Sequence, residues 1–307
     1  MEVNKKIVEI KTKKPPRFLP FKFVDPVDAA ENEKRLIPLL LPGLKKGTVG
    51  VLAGEGGIGK STLLIGIAFG LAHKELDVLK LSLSDGPCKI LILSGEDDAD
   101  VVNNKLHDFS ATHGLDNRKL KLAKDGVFIA TEKNLMEKIN DEDWIANLKL
   151  TIEELKIDLV VFDTYSIFGG VENENDNVEA ARVIEVLNKN LIAETDLCVL
   201  LVHHTNAEGN IRGAKALRDN TRVTYVIRRP NDDEKEIIEA AGFNSETLAN
   251  FEIIKSNYAR KGSLCWLEMT HSGVFKIADE KISVSLSQKK SEKIKTGRIG
   301  ARNDQKF

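Results

Sequence analysis

The sequence predicts an α/β protein: a mostly parallel central sheet flanked by helices, with an antiparallel extension toward the C-terminus. Three observations carry this. From Gly47 to His204, short apolar runs alternate with segments of helical spacing. Those runs are continuous rather than alternating polar and apolar, as expected of parallel strands covered on both faces. After residue 222 the helical spacers give way to apolar runs joined by short loops, the pattern of antiparallel strands.

In order, TVGVLAG (48–54) reads as a strand and STLLIGIAFGLA (61–72) as a buried helix. KILILS (89–94) is a second strand running into an acidic turn, and DADVVNNKLHDFSATHG (98–114) has helical spacing and stops at Gly114. GVFIA (126–130) is a third strand; DEDWIANLKLTIEELK (141–156) is amphipathic, with Leu148, Ile152 and Leu155 on one face. IDLVVFD (157–163) and LCVLLVHH (197–204) are strands separated by a helix over 177–194. VTYVI (223–227), FEIIKSN (251–257), LCWLEM (264–269) and VFKIA (274–278) form the antiparallel extension.

This core occupies residues 21–280. Residues 1–20 are expected to form a flexible basic arm ending in Lys13-Lys14-Pro15-Pro16, and 281–307 a disordered basic tail, which from Gln288 onward lacks a core. Aromatics make up only 6% of the chain, so Leu, Ile and Val fill the core. The net charge of −2 excludes a general polycation, so contact with nucleic acid must come from local patches. Cys88, Cys198 and Cys265 lack metal-ligand spacing and read as apolar residues of a reducing compartment. No apolar run approaches the ~18 residues of a membrane span, and a cytoplasmic protein without a membrane partner is expected.

The chemistry begins at Gly54-Glu55-Gly56-Gly57-Ile58-Gly59-Lys60-Ser61, followed by Thr62, between a strand and a helix. The glycines let backbone N–H groups curl around phosphate oxygens, and the positive helix end faces the same anion. Lys60 is expected to reach the β and γ phosphates of a nucleoside triphosphate and the Ser61 hydroxyl to hold Mg²⁺. Asp163, ending the run LVVFD, is the second candidate for the metal. Glu96 follows a neighbouring strand that should end at the same edge, where it can orient and deprotonate the attacking water. Asp97 and Asp98 fit the cap of the next helix.

Four cations crowd the stretch after the double histidine His203-His204: Arg212, Lys215, Arg218 and Arg222. They face either an anion or solvent, and for Lys215 and Arg218 a solvated, salt-bridged helix surface is an equal reading. Tyr165, Phe168 and Tyr258 are open to base stacking or to packing.

The segments GEGGIGKST, LILSGEDD, VVFDTYSIFGGVENEND, LLVHHTN, RGAKALRDNTR and KSNYA, in this order over roughly 47–260, resemble the RecA-like ATPases with a phosphate-binding P-loop, and within them the RepA-type hexameric replicative helicases. The resemblance implies a homo-oligomeric, hexameric ring with ATP at each interface and single-stranded DNA in the channel. It implies Glu96 as catalytic base, Asp163 on Mg²⁺, His204 as the sensor between γ-phosphate and a DNA-facing loop, and Arg212 as an arginine finger inserted into the next subunit's site. Lys255 matches a lysine pointed at a neighbour's γ-phosphate, and Lys215 and Arg218 are the candidates to face DNA phosphates. Asn257 stands where related ring helicases carry Arg, which shifts the finger role to Arg212. The expected function is an ATP-dependent helicase or translocase. The alternatives are a RecA-like repair or recombination ATPase that does not unwind DNA, and a nucleotide-switched interaction protein.

Overall fold

The computed structural model describes residues 26–31, 36–133, 136–170, 176–193, 195–205 and 215–288. Met1–Ile37 forms one unit, whose described helix is α1 (Pro26–Glu31), opened by a proline whose fixed φ suits a first helical turn. The basic arm and tail fall largely outside the described residues.

Pro38–Phe307 forms the second unit. It opens with a small hairpin, β1 (Leu39–Leu41) and β2 (Leu44–Lys45), turning at Pro42-Gly43. The central strands are β3 (Val49–Gly54), β4 (Ile90–Ser94), β5 (Val127–Ala130), β6 (Leu159–Asp163), β7 (Cys198–His204) and β8 (Val223–Arg228). The extension is β9 (Leu248–Ser256), β10 (Gly262–Met269) and β11 (Phe275–Ile277). All nine lie in one sheet, ordered β11-β10-β9-β8-β3-β7-β6-β4-β5. Pairing is parallel from β5 to β8 and antiparallel from β8 to β11, as the sequence predicts.

The inner strands are apolar throughout because both faces are covered. Leu52, Ile92, Val161 and Leu200 point to one side, against helices α2 (Lys60–Ala72), α3 (Ala99–His113) and α4 (Asn117–Ala123). Val51, Leu93, Phe162 and Leu201 point to the other. There they meet α5 (Glu142–Leu155), α6 (Tyr165–Phe168), α7 (Asn177–Leu187) and α8 (Lys215–Asn220). Helix α2 is buried on nearly every side, which explains its uniformly apolar sequence. Cys88 and Cys198 are buried and Cys265 is partly covered; burial pushes the thiols of Cys198 and Cys265 up to about 12.

Local signals mark the helix ends. The Asp98 carboxylate accepts from Val101 N–H, and Gly114 closes α3 in the left-handed conformation. Asp97 instead pairs with Lys105. Asp141 caps α5, and Asp176 caps α7 by accepting from the N–H groups of Val178 and Glu179. Beyond α7 the chain continues as a π-helical turn over Asn188–Ile192, so the segment read as one helix over 177–194 is two kinds of helix. The hairpin, α4, a helix α9 (Asp232–Ala240) and helical residues 280–288 are additions to the expected elements.

A third apolar cluster, with Ile238, Trp266 and Ile282, packs beneath α9 and the 280–288 segment. Beside it Arg228 holds two carboxylates: Glu234 through both terminal nitrogens, at 2.6 and 3.0 Å, and Glu252 through Nε at 2.9 Å. Glu234 is almost fully buried, so it depends on that guanidinium. Arg228→Met is expected to lower unfolding free energy at neutral pH by roughly 3 kcal/mol, the scale for stranding a buried partner. Urea denaturation checks this, and a loss below about 1 kcal/mol would show that water already solvates the pair.

Candidate nucleotide-hydrolysis site

Parallel registers bring the candidate residues to one edge. Gly54 ends β3 opposite His204 of β7, and Ser94 ends β4 opposite Asp163 of β6. The loop from Gly54 to Gly59 leaves this edge and enters α2. Gly59 has φ +97°, and a Cβ there would lie 2.7 Å from the Phe275 ring. Glycine is therefore required both by conformation and by the closeness of β11. The Thr62 hydroxyl shares its hydrogen between the carbonyls of Gly59 (2.9 Å) and Gly273 (3.0 Å). The β10–β11 turn thus grips the first turn of α2, a contact no spacing in the sequence signals.

Lys60 is only 6% exposed. Its ammonium donates to the carbonyls of Gly54 (3.0 Å) and Glu55 (2.8 Å) and lies 3.3 Å from His204 Nδ1. Burial lowers its pKa, against the attraction of Asp163, Glu96 and Glu55. With His204 Nδ1 accepting from the ammonium, the ring proton belongs on Nε2, which faces Glu96 Oε1 at 3.6 Å. Glu96 Oε1 also accepts from Thr164 Oγ1 at 3.1 Å. His204 therefore stands between Lys60 and Glu96 at the strand ends, while the half-exposed Glu96 side chain remains open to solvent.

Ser61 Oγ donates to Asp163 Oδ2 at 2.9 Å. Asp163 is buried, and desolvation raises its pKa to about 6; the Ser61 hydrogen bond works against this, while Glu96 and Asp97 add to it. A hydroxyl and a buried carboxylate are hard oxygen donors, and a divalent cation would supply the charge Asp163 lacks. Among the described residues no cluster of three or more His, Cys, Asp or Glu could hold a metal by itself. A hydroxyl and one carboxylate suit Mg²⁺, which takes few protein ligands alongside substrate phosphates.

Arg212 lies outside the described residues. Lys215 and Arg218 sit on α8 and both face Asp219, at 3.8 and 3.4 Å, exposed pairs of the salt-bridged kind. Asn177 Oδ1 accepts from Ala216 N–H at 2.8 Å, fixing the start of α8 to the start of α7. Lys255 on β9 donates to the carbonyls of Arg218 (2.9 Å), Asp219 (2.9 Å) and Thr221. Its strand is separated from β3 by β8. Tyr165 and Phe168 are buried in the core, Tyr165 against the His203 ring and Phe168 stacked on Trp144.

A phosphate loop between β3 and α2, acidic groups on neighbouring strand ends and this strand order define a RecA-like P-loop ATPase. Residues 14–210 match the AAA domain family, and the chain belongs to it. It is 26% identical over 181 residues to the DNA repair protein RadA of Mycolicibacterium smegmatis, covering 57% of this chain and 32% of that one. It is 25% identical over 239 residues to the DNA repair protein RadA of Aquifex aeolicus, covering 77% and 43%. The chain thus spans less than half the length of these relatives. The KaiC-like protein of Pyrococcus horikoshii OT3 superposes with a TM-score of 0.51 at 16% identity, over 80% of this chain and 99% of that one, a likeness of fold. No described helix is long and apolar enough to cross a membrane.

Burial of Asp163 has a pH signature. Its folded pKa of about 6 exceeds the unfolded value, near 3.9, so the fold binds the proton more tightly. Stability from this group is full below about pH 4 and is lost as pH rises toward 6. Without metal or nucleotide, in EDTA, Asp163→Asn should gain about 3 kcal/mol relative to wild type between pH 4 and pH 7. Urea denaturation across that range tests it; a pH-independent difference would contradict the assignment.

Proposed function

We propose that this chain is a DNA-stimulated ATPase of the repair or recombination type, completing hydrolysis between subunits of a homo-oligomer. The observation that carries the reading is the placement of His204. It touches Lys60 on one side and faces Glu96 on the other, and its strand leads directly into the segment containing Arg212, Lys215 and Arg218. A change at the γ-phosphate reaches the basic segment through one side chain. The similarity to proteins named for DNA repair supports this assignment over the helicase reading of the motifs.

In the proposed reaction, loop N–H groups and Lys60 hold the phosphates of ATP. Ser61 and Asp163 would hold Mg²⁺, which neutralises phosphate charge when bound. Glu96 orients a water and takes its proton as the water oxygen bonds to the γ-phosphorus and the bond to ADP breaks. Arg212 supplies positive charge to the neighbouring subunit's site. Lys215 and Arg218 exchange Asp219 for single-strand phosphates, at small cost because exposed pairs are weak.

ATP turnover is expected to rise about tenfold or more with single-stranded DNA, and the apparent affinity to fall steeply with salt, as phosphate contacts require. Stimulation insensitive to salt would favour a nucleotide-switched interaction protein. On a forked duplex no unwinding is expected at ATP levels that saturate turnover; strand separation there would reinstate the hexameric helicase.

The interface assignment predicts that Lys60→Ala loses nucleotide binding or turnover. Arg212→Ala should keep ATP binding but lose ~10³-fold or more in turnover, the scale of an arginine finger. Mixing Arg212→Ala with Glu96→Gln subunits should restore part of the rate, since one intact interface can form between them. Absence of rescue at every ratio would place Arg212 outside the neighbour's site.

A further inference from the structure

Thr164 stands at the N-cap of α6, with extended backbone, φ −121° and ψ 167°. A threonine there ordinarily turns its side-chain oxygen to the N–H groups of the first helical turn. Thr164 makes no such bond. Its hydroxyl donates instead to Glu96 Oε1 at 3.1 Å, across to the neighbouring strand's end. Its oxygen also lies 2.7 Å from Ser166 Oγ. The single hydroxyl hydrogen of Thr164 is spent on the carboxylate, so Ser166 is the donor in the second bond. The order is Ser166 to Thr164 to Glu96. Thr164 itself is 1% exposed, so packing fixes its rotamer, whereas the Glu96 side chain is half-exposed.

We propose that Thr164 is a positioning residue for ATP hydrolysis: the buried hydroxyl pins one oxygen of Glu96, with His204 Nε2 facing that same oxygen, and leaves the other carboxylate oxygen for the attacking water. This rests on the reading of Glu96 as the base. An exposed glutamate loses rotamer entropy when fixed, and a general base acts only within hydrogen-bond reach of the proton it takes. A hydroxyl held in the core meets that cost before substrate arrives. The Thr164 hydroxyl bonds Glu96 and Ser166 rather than the loop that holds phosphate, so its effect falls on turnover and not on ATP binding.

The test compares Thr164→Val, which keeps the shape and removes the hydroxyl, with Thr164→Ser, which keeps the hydroxyl. Urea midpoints and the Kd for ATP are measured beside kcat and KM with saturating single-stranded DNA. Thr164→Val is expected to lose ~10- to 100-fold in kcat, a part of the ~10²–10⁴-fold a general base contributes. Its KM and Kd for ATP should stay within about twofold, and Thr164→Ser should return most of the rate. Should Thr164→Val fail to fold, Ser166→Ala replaces it, with an expected loss of ~3-fold in kcat at unchanged KM because the relay loses its outer donor. Glu96→Gln separates the two failures. If Glu96→Gln is inactive while Thr164→Val, or Ser166→Ala in its place, turns over at the wild-type rate, the positioning role is overturned and the base stands. If Glu96→Gln retains turnover, the reading of Glu96 as base falls, and the positioning role with it.

Discussion

A buried carboxylate and a buried ammonium at the same sheet edge set the terms for everything around them. Burial raises Asp163 and lowers Lys60, so each group is pushed toward its neutral form. Each is held charged by its neighbours: Lys60 by loop carbonyls and nearby acids, Asp163 by the Ser61 hydroxyl. A triphosphate with a divalent cation is complementary to both, an anion beside Lys60 and a cation beside Asp163. Binding therefore relieves two penalties in one event. The parallel registers β3–β7 and β6–β7 bring the loop that follows Gly54 and the carboxylate of Asp163 to one edge; a slip of one residue in β6 would turn Asp163 to the opposite face.

The antiparallel extension does more than widen the sheet. Its β10–β11 turn meets Thr62 and its Phe275 ring presses on Gly59, so the phosphate loop is backed by a segment more than two hundred residues away in sequence. The same extension supplies Lys255, which binds the carboxyl end of α8. Loop and basic helix are thus braced by one rigid element. His204 meets Lys60 from the strand next to the loop.

The strand edge was legible in the sequence because each signal is local. Continuous apolar runs mark strands covered on two faces, and a phosphate loop needs a strand before it and a helix after it. Lys60, Ser61, Asp163, Glu96 and His204 all close or follow such runs, and the fold gathers them. The elements that escaped have weaker signals. Helix α9 opens with Asn231 and Glu234 in a capping box, a pattern visible in the sequence but attached to a strongly acidic, weakly apolar stretch. Thr164 is different in kind. It follows Asp163 directly, yet its partner is Glu96, 68 residues earlier, and no local pattern reports a hydrogen bond across strands. Thr62 and Gly273 are the same case, tied by a turn between short strands whose pairing only the fold determines.

Lys255 shows how local anchoring and assembly oppose each other. Its three donors are spent on carbonyls of Arg218, Asp219 and Thr221 at the end of α8. A cation there is favourable because the last carbonyls of a helix carry partial negative charge. To meet a neighbour's phosphate, as the resemblance implies, the ammonium must leave those carbonyls. The end of α8 then loses its counter-charge. Engagement between subunits would in this way loosen the helix that carries Lys215 and Arg218, and capture of phosphates by those two side chains would offset the loss. ATP at the interface and nucleic acid on the basic helix would then share one free-energy difference, with Lys255 distributed between two sets of oxygens.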